Sequence, residues 1–393
     1  MNHRARFLAL QSLLREYQAF WQPPPFYVHR PAWCEQWPAL AEAVLGLGDA
    51  ELEALVASPD DCRAWLEAYL PFVGELGQLS DVTPLSARSL APSGAHFDWF
   101  IPGRKRAQIE AFASHGPAVA APLLEWCAGK GHLGRRLALS DGQPVSSLEI
   151  DRDLCADAGR LAARVGVDQQ VLCADALEPA SRAHVHGREV LALHACGELH
   201  RSLVRGAAVD GARGYRIAPC CYYRGAQDQD GYQPVSHEAS LPLDGRALRL
   251  AVTETVTAPP RLRQRLARDQ AWKLAFIALR NALEGEAIRP FPPMPSPLLS
   301  GDFAAYGAAA ARRQGVSLPM GVDWAHWLAV GERRRGEVRR LELVRHAFRR
   351  PLEMWLVMDL TRGLEEAGFQ VEVGTFCERS LTPRNLMVLA KAL

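Results

Sequence analysis

From residue 123 onward, short apolar runs alternate along the chain with longer segments in which apolar residues recur at helical spacing. The short runs cover 123–124, 145–150, 170–173, 190–194 and 215–218, and the helical segments cover 133–139, 154–165 and 199–208. This alternation is typical of a parallel sheet whose strands are joined by crossover helices. Such sheets bind ligands beyond the carboxyl ends of their strands.

The pattern resumes near the end of the sequence. Residues 351–367 form a well-patterned helical segment that ends at Gly368, and the strand-like stretches QVEVGTFCE and NLMVLAKA follow it, separated by a polar loop. We therefore predict that a final helix and an antiparallel hairpin complete the sheet. The sheet-forming part of the chain is expected to comprise 91–223 and 351–393.

Two further segments lack the alternation. Residues 1–90 have helical periodicity broken by prolines and contain no catalytic spacing, which predicts a helical N-terminal domain for structure or substrate docking. Residues 224–350 contain a strand-like stretch at 248–255, an Arg-rich helix, a Pro-rich linker at 289–299 and a second basic helix. We interpret 224–350 as a helical insertion into the sheet domain and as a possible substrate-binding region.

The stretch PLLEWCAGKGHLGRRLA (122–138) joins the first apolar run to a helical segment through a loop of small residues. A glycine-rich turn before a helix exposes backbone N–H groups and the positive helix end, which suits a nucleotide cofactor. Residues 129–134 satisfy the pattern G-x-G-x-x-G, and Asp151 follows Gly131 by 20 residues. By itself this spacing fits a dinucleotide as well as other nucleotide cofactors.

Three acidic residues narrow the choice of cofactor. Glu125 precedes the loop, where a carboxylate repels a pyrophosphate but attracts a cationic amino group. Asp151 follows the second run, where it can bind ribose hydroxyls, and Asp175 follows the third, where it can accept from an adenine amino group. S-adenosylmethionine has an amino acid head, a ribose and an adenine but no phosphate, and we predict it as the cofactor.

The motifs EWCAGKGHLGRRLA, LEIDRDL, CADA, HACGELH and APCCYYR together resemble the class I S-adenosylmethionine-dependent methyltransferases. More narrowly, HACGELH followed by PCCY resembles the methyltransferase-like proteins once named for a ribosomal RNA adenine dimethylase domain. The tRNA acceptor-stem 2′-O-methyltransferases have a related pairing. The resemblance covers roughly 100–223 and 350–393, and it departs from most class I enzymes at Cys127, where they have the first loop glycine.

The resemblance implies an α/β fold with a Rossmann-like sheet and a terminal antiparallel hairpin, and it implies an RNA-modifying enzyme. The cofactor contacts that we predict lie along the loop and at the strand ends: Glu125, Cys127, Ala128, Gly129, Lys130, Gly131, His132, Leu133, Asp151, Asp175, Ala176 and His194.

Methyl transfer from a sulfonium is an in-line displacement, so aligning the nucleophile with the methyl group supplies much of the catalysis. The residues predicted for the reacting end close the fourth and fifth apolar runs: His194, Cys196, Pro219, Cys220, Cys221 and Tyr222.

Four interpretations of this cluster remain open. Pro219, Tyr222 and Tyr223 can shape a pocket for a planar acceptor, with His194 as a base. A cysteine can act as a covalent nucleophile, or the thiols can be buried packing residues. His194, His200 and the thiols of 196, 220 and 221 can bind zinc. We assign no metal site, because C-x-x-C spacing is absent and adjacent cysteines rarely reach one ion.

Charge restricts the substrate only locally, because the 393-residue chain has a net charge of +1. Residues 331–350 contain eight Arg and three Glu, a local excess of 8 − 3 = +5. Arg261, Arg263, Arg265, Arg268 and Lys273 form a second basic group, and Trp324 and Trp327 lie between the two groups. Arginines with aromatic rings suit phosphate contact and base stacking, although solvated helix faces and core tryptophans explain the same pattern.

Cysteine use and hydropathy bear on the compartment. The nine cysteines have no framework spacing, which favours reduced thiols in a cytoplasmic protein. The first 20 residues are interrupted by Arg15 and Glu16 and predict an amphipathic helix rather than a signal peptide. The overall hypothesis is a cytoplasmic S-adenosylmethionine-dependent methyltransferase of tRNA or rRNA. A protein or small-molecule methyltransferase, or a non-catalytic RNA-associated factor that binds the cofactor, is the alternative.

Overall fold

The computed structural model describes residues 2–94, 96–97, 101–118, 120–226, 231–253, 259–285, 289 and 291–393. The strands are β1 (Leu123–Trp126), β2 (Val145–Glu149), β3 (Gln169–Cys173), β4 (Glu189–Cys196), β5 (Gly214–Cys220), β6 (Phe369–Thr375) and β7 (Leu386–Ala392). The helices are α1 (His3–Glu16), α2 (Gln18–Trp21), α3 (Trp33–Gln36), α4 (Pro38–Gly46), α5 (Asp49–Ala57), α6 (Pro59–Glu67), α7 (Phe72–Ser80), α8 (Gly103–Ser114), α9 (His132–Asp141), α10 (Arg152–Val165), α11 (Glu198–Arg205), α12 (Ala207–Asp210), α13 (Gly245–Val252), α14 (Pro260–Glu284), α15 (Phe303–Gln314), α16 (Trp324–His346) and α17 (Arg349–Glu366).

Within the described part of the chain, seven strands form one sheet in the order β3-β2-β1-β4-β5-β7-β6. The first five strands are parallel, whereas β7 runs antiparallel to both β5 and β6. The predicted parallel sheet and terminal hairpin are confirmed. An α/β sheet that ends in an antiparallel hairpin is the fold implied by the resemblance to class I methyltransferases.

The parallel strands are almost continuously apolar because helices cover both faces of the sheet. All four residues of β1 and all seven of β5 are buried. One face packs on α8 and α9 through a cluster that includes Ile109, Phe112 and Leu137. The sheet thereby fixes the positions at which β1, β4 and β5 end, and the candidate site lies at those ends.

Helix α17 is buried on nearly all sides, as expected for a helix that packs between other elements of a core. Its Asp359 has no exposed surface and accepts hydrogen bonds from the backbone nitrogens of Val235 and Ser236 and from the Tyr232 hydroxyl, at 2.7–2.9 Å. These bonds stabilise the segment that follows β5 against the final helix.

The chain forms two compact units. The sheet unit comprises 1–16, 75–254 and 349–393, and the helical unit comprises 17–74 and 255–348. The boundaries differ from the predicted segments 1–90, 91–223, 224–350 and 351–393. Helix α1 packs on α17 of the sheet unit, and residues 231–253 also belong to the sheet unit because Asp359 and helix α17 hold them.

The helical unit has a hydrophobic core of its own. Helices α14 and α16 pack closely at Gly331, where a Cβ atom would lie 2.5 Å from the Ala271 carbonyl oxygen. Trp324 and Trp327 pack against the same core. Trp324 lies directly over Gly307, where an added Cβ would be 2.3 Å from its ring. Trp324 is therefore a packing residue rather than the predicted base-stacking platform.

One predicted strand is wrong. Residues 245–252 form helix α13, which begins with Asp244 as its N-cap, and position 255 of the predicted 248–255 strand lies outside the described residues. The apolar residues Ala247, Leu248, Leu250 and Ala251 are buried on this helix. A short apolar run fits a buried helix as well as a strand, so periodicity alone could not distinguish them. No helix among the described residues is long and apolar enough to span a membrane.

Candidate functional site

Three neighbouring strands of the sheet each lead into a non-glycine residue with positive φ. Cys127 follows β1 with φ 58°, His194 lies near the end of β4 with φ 72°, and Cys221 follows β5 with φ 44°. Left-handed backbone at ordinary residues costs roughly 1–2 kcal/mol each and concentrates at functional sites. All three occur at the carboxyl edge of the sheet, where the fold predicts a ligand.

The loop after β1 has the conformation that the predicted cofactor requires. Cys127 adopts the left-handed conformation that a glycine would adopt at this position. Gly129 has φ 59°, and no described atom lies within 4 Å of the position where its Cβ would be. A ligand can therefore approach the backbone at Gly129, which agrees with the glycine-rich cradle expected from the sequence.

Two side chains that the sequence did not identify hold this loop. Arg135 donates to the carbonyl oxygen of Lys130 at 3.2 Å, and Gln169 donates to that of Gly131 at 3.0 Å. Arg135 also donates to the Gln169 side-chain oxygen at 3.0 Å, so the two residues form one network. With its carbonyls bound from behind, the loop is fixed before any ligand arrives.

Glu149, at the end of β2, is the acidic residue that faces the loop. Its Oε2 accepts from the Gly129 backbone nitrogen at 2.8 Å, and its Oε1 accepts from the nitrogens of Ile150 and Asp151. Asp151 instead caps α10 by accepting from the nitrogens of Asp153 and Leu154 at 2.9 and 3.0 Å. The sequence-based choice of Asp151 for the ribose is therefore corrected to Glu149, two residues earlier.

Glu125 also differs from its predicted role. It is 5% exposed, and its carboxylate accepts from the Gly134 backbone nitrogen at 3.0 Å and from the Ser147 hydroxyl at 3.2 Å. Burial raises the pKa of Glu125 to about 7, opposed by these hydrogen bonds and by Arg135. The carboxylate joins β1, β2 and the first turn of α9, and it does not face the cofactor's amino group.

The side chains of three other predicted cofactor residues also face away from the loop. His132 is buried against Arg135, and this burial with the nearby positive charges lowers its pKa to about 3. Leu133 belongs to the core cluster below the sheet, and Lys130 forms an ion pair with Asp157 at 2.9 Å. At these positions only backbone groups remain available to a cofactor.

The remaining cofactor residues surround Cys127. Burial raises the pKa of the Cys127 thiol to about 12, and the nearby Glu149, Cys196 and Asp175 contribute to the shift. Asp175 follows β3 and accepts from the Leu177 nitrogen at 2.9 Å, and the neighbouring Ala176 is buried. Ala128 donates to the Leu148 carbonyl at 2.9 Å, which extends the β1–β2 ladder to the start of the loop.

At the reacting end, His194 is exposed and lies beside Gln108. The Gln108 amide nitrogen donates to the Leu381 carbonyl, so the amide oxygen faces His194 Nε2 at 3.3 Å. This arrangement assigns the proton to Nε2 and leaves Nδ1 as the unprotonated nitrogen. Partial desolvation and the Lys105 charge lower the pKa of His194, and the imidazole is therefore neutral at neutral pH.

The thiols of Cys196, Cys220 and Cys221 form one cluster, in which all three sulfur atoms lie within 4.8 Å of one another. Neither His194 nor His200 belongs to it. His200 is fully buried, with Nδ1 bound to the Ala195 carbonyl at 2.7 Å. The structure therefore brings together the three cysteines that the sequence singled out, and it separates them from the two histidines.

Pro219 and Tyr222 are placed differently from the expected acceptor pocket. Both are buried, and Tyr222 has no exposed surface and packs edge to face on His200. Tyr223 is partly exposed and lies under the guanidinium of Arg249 at 4.8 Å. Tyr222 is thus a core residue, and of the two tyrosines Tyr223 is the one available to an acceptor.

Comparisons with known proteins agree with this geometry. Residues 106–227 match a protein-family model described as a methyltransferase domain. No curated protein sequence matches the chain. The solved cyclopropane synthase MmaA2 from Mycobacterium tuberculosis is similar at 14% identity, covering 77% of this chain and 90% of that one, with a TM-score of 0.26. At that TM-score the fold is established by the strand order rather than by the match.

The chain therefore contains a methyltransferase domain, and its cofactor is S-adenosylmethionine. The residues present fit this molecule, because the open face of Gly129 admits a ligand and the adjacent Glu149 carboxylate can accept from ribose hydroxyls. When bound, S-adenosylmethionine supplies an electrophilic methyl group.

The two acidic positions can be separated by mutation. Glu149→Gln keeps an acceptor for Gly129 but removes the charge, and we expect S-adenosylmethionine to bind about tenfold more weakly. Asp151→Ala removes the cap of α10 and should cost about 1 kcal/mol of stability, with little change in affinity. Calorimetric titration and thermal denaturation measure the two effects. A larger loss of affinity in Asp151→Ala than in Glu149→Gln would restore the sequence-based assignment.

The raised pKa of Glu125 predicts how stability changes with pH. The folded protein binds a proton at Glu125 between its ordinary pKa of 4.5 and about 7, so the contribution of this group falls as pH rises through that window. Glu125→Gln retains an acceptor for Gly134 and removes this contribution. We expect the variant to gain about 1–3 kcal/mol relative to the native protein between pH 5 and 8. Denaturant unfolding at both pH values checks this, and a pH-independent difference contradicts it.

Proposed function

We propose that the protein is an S-adenosylmethionine-dependent methyltransferase that acts on RNA, with tRNA and rRNA as the expected substrates. The observation that supports RNA is a cavity of about 740 Å³ in the helical unit. Its volume is within the range of ligand pockets. Among the described residues that line it are four arginines and one carboxylate: Arg280, Arg289, Arg333, Arg334 and Glu337.

The cavity combines positive charge with aromatic surface. Phe26 and Tyr27 line it and pack edge to face, with ring centroids 5.0 Å apart. Arg334 donates to the carbonyls of Pro25 and Val28 at 2.8 and 2.7 Å and so holds the aromatic segment in place. Guanidinium groups beside aromatic rings suit an unstacked nucleobase with its phosphate.

The arginines of 331–350 do not all contribute to such a surface. Within the helical unit, ion pairs join Arg334 to Glu337, Arg339 to Glu53, Arg340 to Asp49 and Arg345 to Glu342. Arg333, by contrast, is exposed and faces the cavity. The RNA proposal therefore depends on the few guanidiniums at the cavity rather than on the local excess of eight Arg over three Glu.

His194 is the proposed base in the methyl transfer. Its unprotonated Nδ1 can take the proton from an acceptor hydroxyl or amine while the nucleophile bonds to the methyl carbon and the carbon–sulfur bond breaks. Gln108 fixes the ring and the tautomer through Nε2. The strand ends supply alignment, because the left-handed residues there set the directions of the side chains.

Methyl transfer to RNA can be measured directly. Incubation of the protein and labelled S-adenosylmethionine with total RNA from a strain lacking the gene should place label in nuclease-sensitive material. Label confined to protein would identify a protein methyltransferase. RNA and cofactor binding without transfer would identify a non-catalytic factor, and either result contradicts the proposal.

Arg333→Ala tests the RNA cavity. We expect RNA binding to weaken by roughly three- to tenfold, and the slope of log affinity against log salt to shrink by about one. Arg312→Ala, an exposed arginine of the same unit that does not line the cavity, is the matched control and should change neither quantity. S-adenosylmethionine affinity should be the same in both variants. Equal effects of the two substitutions would exclude the cavity as the RNA site.

The role of His194 predicts a pH profile. Because its pKa is below the ordinary 6.5, the acidic decline of kcat should lie at a lower pH than for an unperturbed histidine. His194→Gln should lower kcat by about a hundredfold or more and abolish this decline. Calorimetric titration of S-adenosylmethionine would show whether cofactor affinity also changes. An unchanged kcat would exclude His194 as the base.

A further inference from the structure

Cys196, Cys220 and Cys221 come together because of the backbone conformation at the end of β5. Successive side chains of a strand point to opposite faces, so adjacent cysteines in regular β structure diverge. Cys221 instead has φ 44°, and its sulfur lies with that of Cys220 in the same cluster. The backbone conformation thus removes the objection to a metal site that the sequence suggested.

Cys196 reaches the cluster from the neighbouring strand. It is paired with Cys220 in the β4–β5 ladder, after the irregularity between Leu193 and Cys196 that contains His194. Its sulfur is 3.4 Å from that of Cys220. Two independent backbone irregularities, one on each strand, therefore direct three thiols to one point.

We propose that these three thiols bind one zinc ion, with the fourth coordination position open. Tetrahedral thiolate coordination at about 2.3 Å from the metal separates the sulfurs by about 3.8 Å, and the present spacing reaches this value with small shifts. Cys220 is buried, whereas Cys196 and Cys221 are partly exposed. An ion can therefore enter from the side of Cys196 and Cys221.

The surroundings compensate the charge of such a site. Three thiolates and one zinc ion have a net charge of −1, and thiolates rather than thiols are the ligands. Arg224 and Arg384 lie close enough to Cys221 to favour its ionised form, and the neighbouring thiols donate to it. The pKa of the Cys221 thiol is accordingly lowered, whereas hydrogen bonding to the neighbouring cysteines and burial raise that of Cys220. Ligation of the metal by Cys220 releases its proton.

The inference is independent of the methyl acceptor, because it rests on the three sulfur atoms alone. Its test uses the full-length protein, reduced and free of S-adenosylmethionine, titrated with Co²⁺ as a spectroscopic substitute for zinc. We expect one equivalent to bind with sulfur-to-metal charge-transfer absorption, and zinc to displace it. X-ray absorption of the zinc form should give three sulfur ligands and one lighter atom. Absence of the charge-transfer band, or fewer than three sulfurs, would overturn the proposal.

Two single variants make the test specific. Cys221→Ser, at a partly exposed position, should weaken metal binding at least tenfold with little loss of structure by circular dichroism. Cys173→Ser is the matched control, because Cys173 is also a thiol at the end of a strand and lies beside Cys155, but this pair offers only two sulfurs. Retention of metal by Cys221→Ser, or its equal loss in Cys173→Ser, would contradict the site.

Discussion

The constraint on which the site depends is the sharp change of chain direction at the carboxyl ends of β1, β4 and β5. In each case a cysteine or a histidine, rather than a glycine, adopts positive φ. The cost is roughly 1–2 kcal/mol per residue, and a buried parallel sheet is the kind of framework that can sustain it. These turns direct the Cys127 backbone towards the cofactor loop, the His194 ring towards Gln108, and the Cys221 sulfur towards two other thiols.

The cofactor loop is supported from within the sheet as well as by its glycines. The Glu125 carboxylate joins β1 to the first turn of α9, and Arg135 and Gln169 bind the loop carbonyls from below. Because these partners occupy the carbonyl side of the loop, its opposite side remains free to contact a ligand at Gly129. A buried carboxyl with a raised pKa is thus explained by its role in the scaffold rather than in the chemistry.

The hydrophobic pattern was sufficient for the sheet, because strands buried on both faces and joined by amphipathic helices have a distinctive periodicity. It was insufficient for α13, whose short buried run resembles a strand. The acidic residue at the end of β2 was misplaced by two positions, since spacing along the sequence cannot distinguish a carboxylate that faces the loop from one that caps a helix. Arg135 and Gln169 were missed because they act on a loop through contacts that no local motif records.

The thiol cluster shows the same limitation in a sharper form. Adjacent cysteines argue against shared coordination only while the backbone is regular, and residue type does not encode the left-handed φ of Cys221. Similarly, an excess of arginine in a helix argues for an anion-binding surface only where those arginines lack carboxylate partners. In α16 most of the ion pairs are internal to the helical unit, and Arg333 is the exposed member that faces the cavity. In both cases the chemistry depends on geometry that is set by a few backbone and pairing choices, whereas composition fixes only which groups are available.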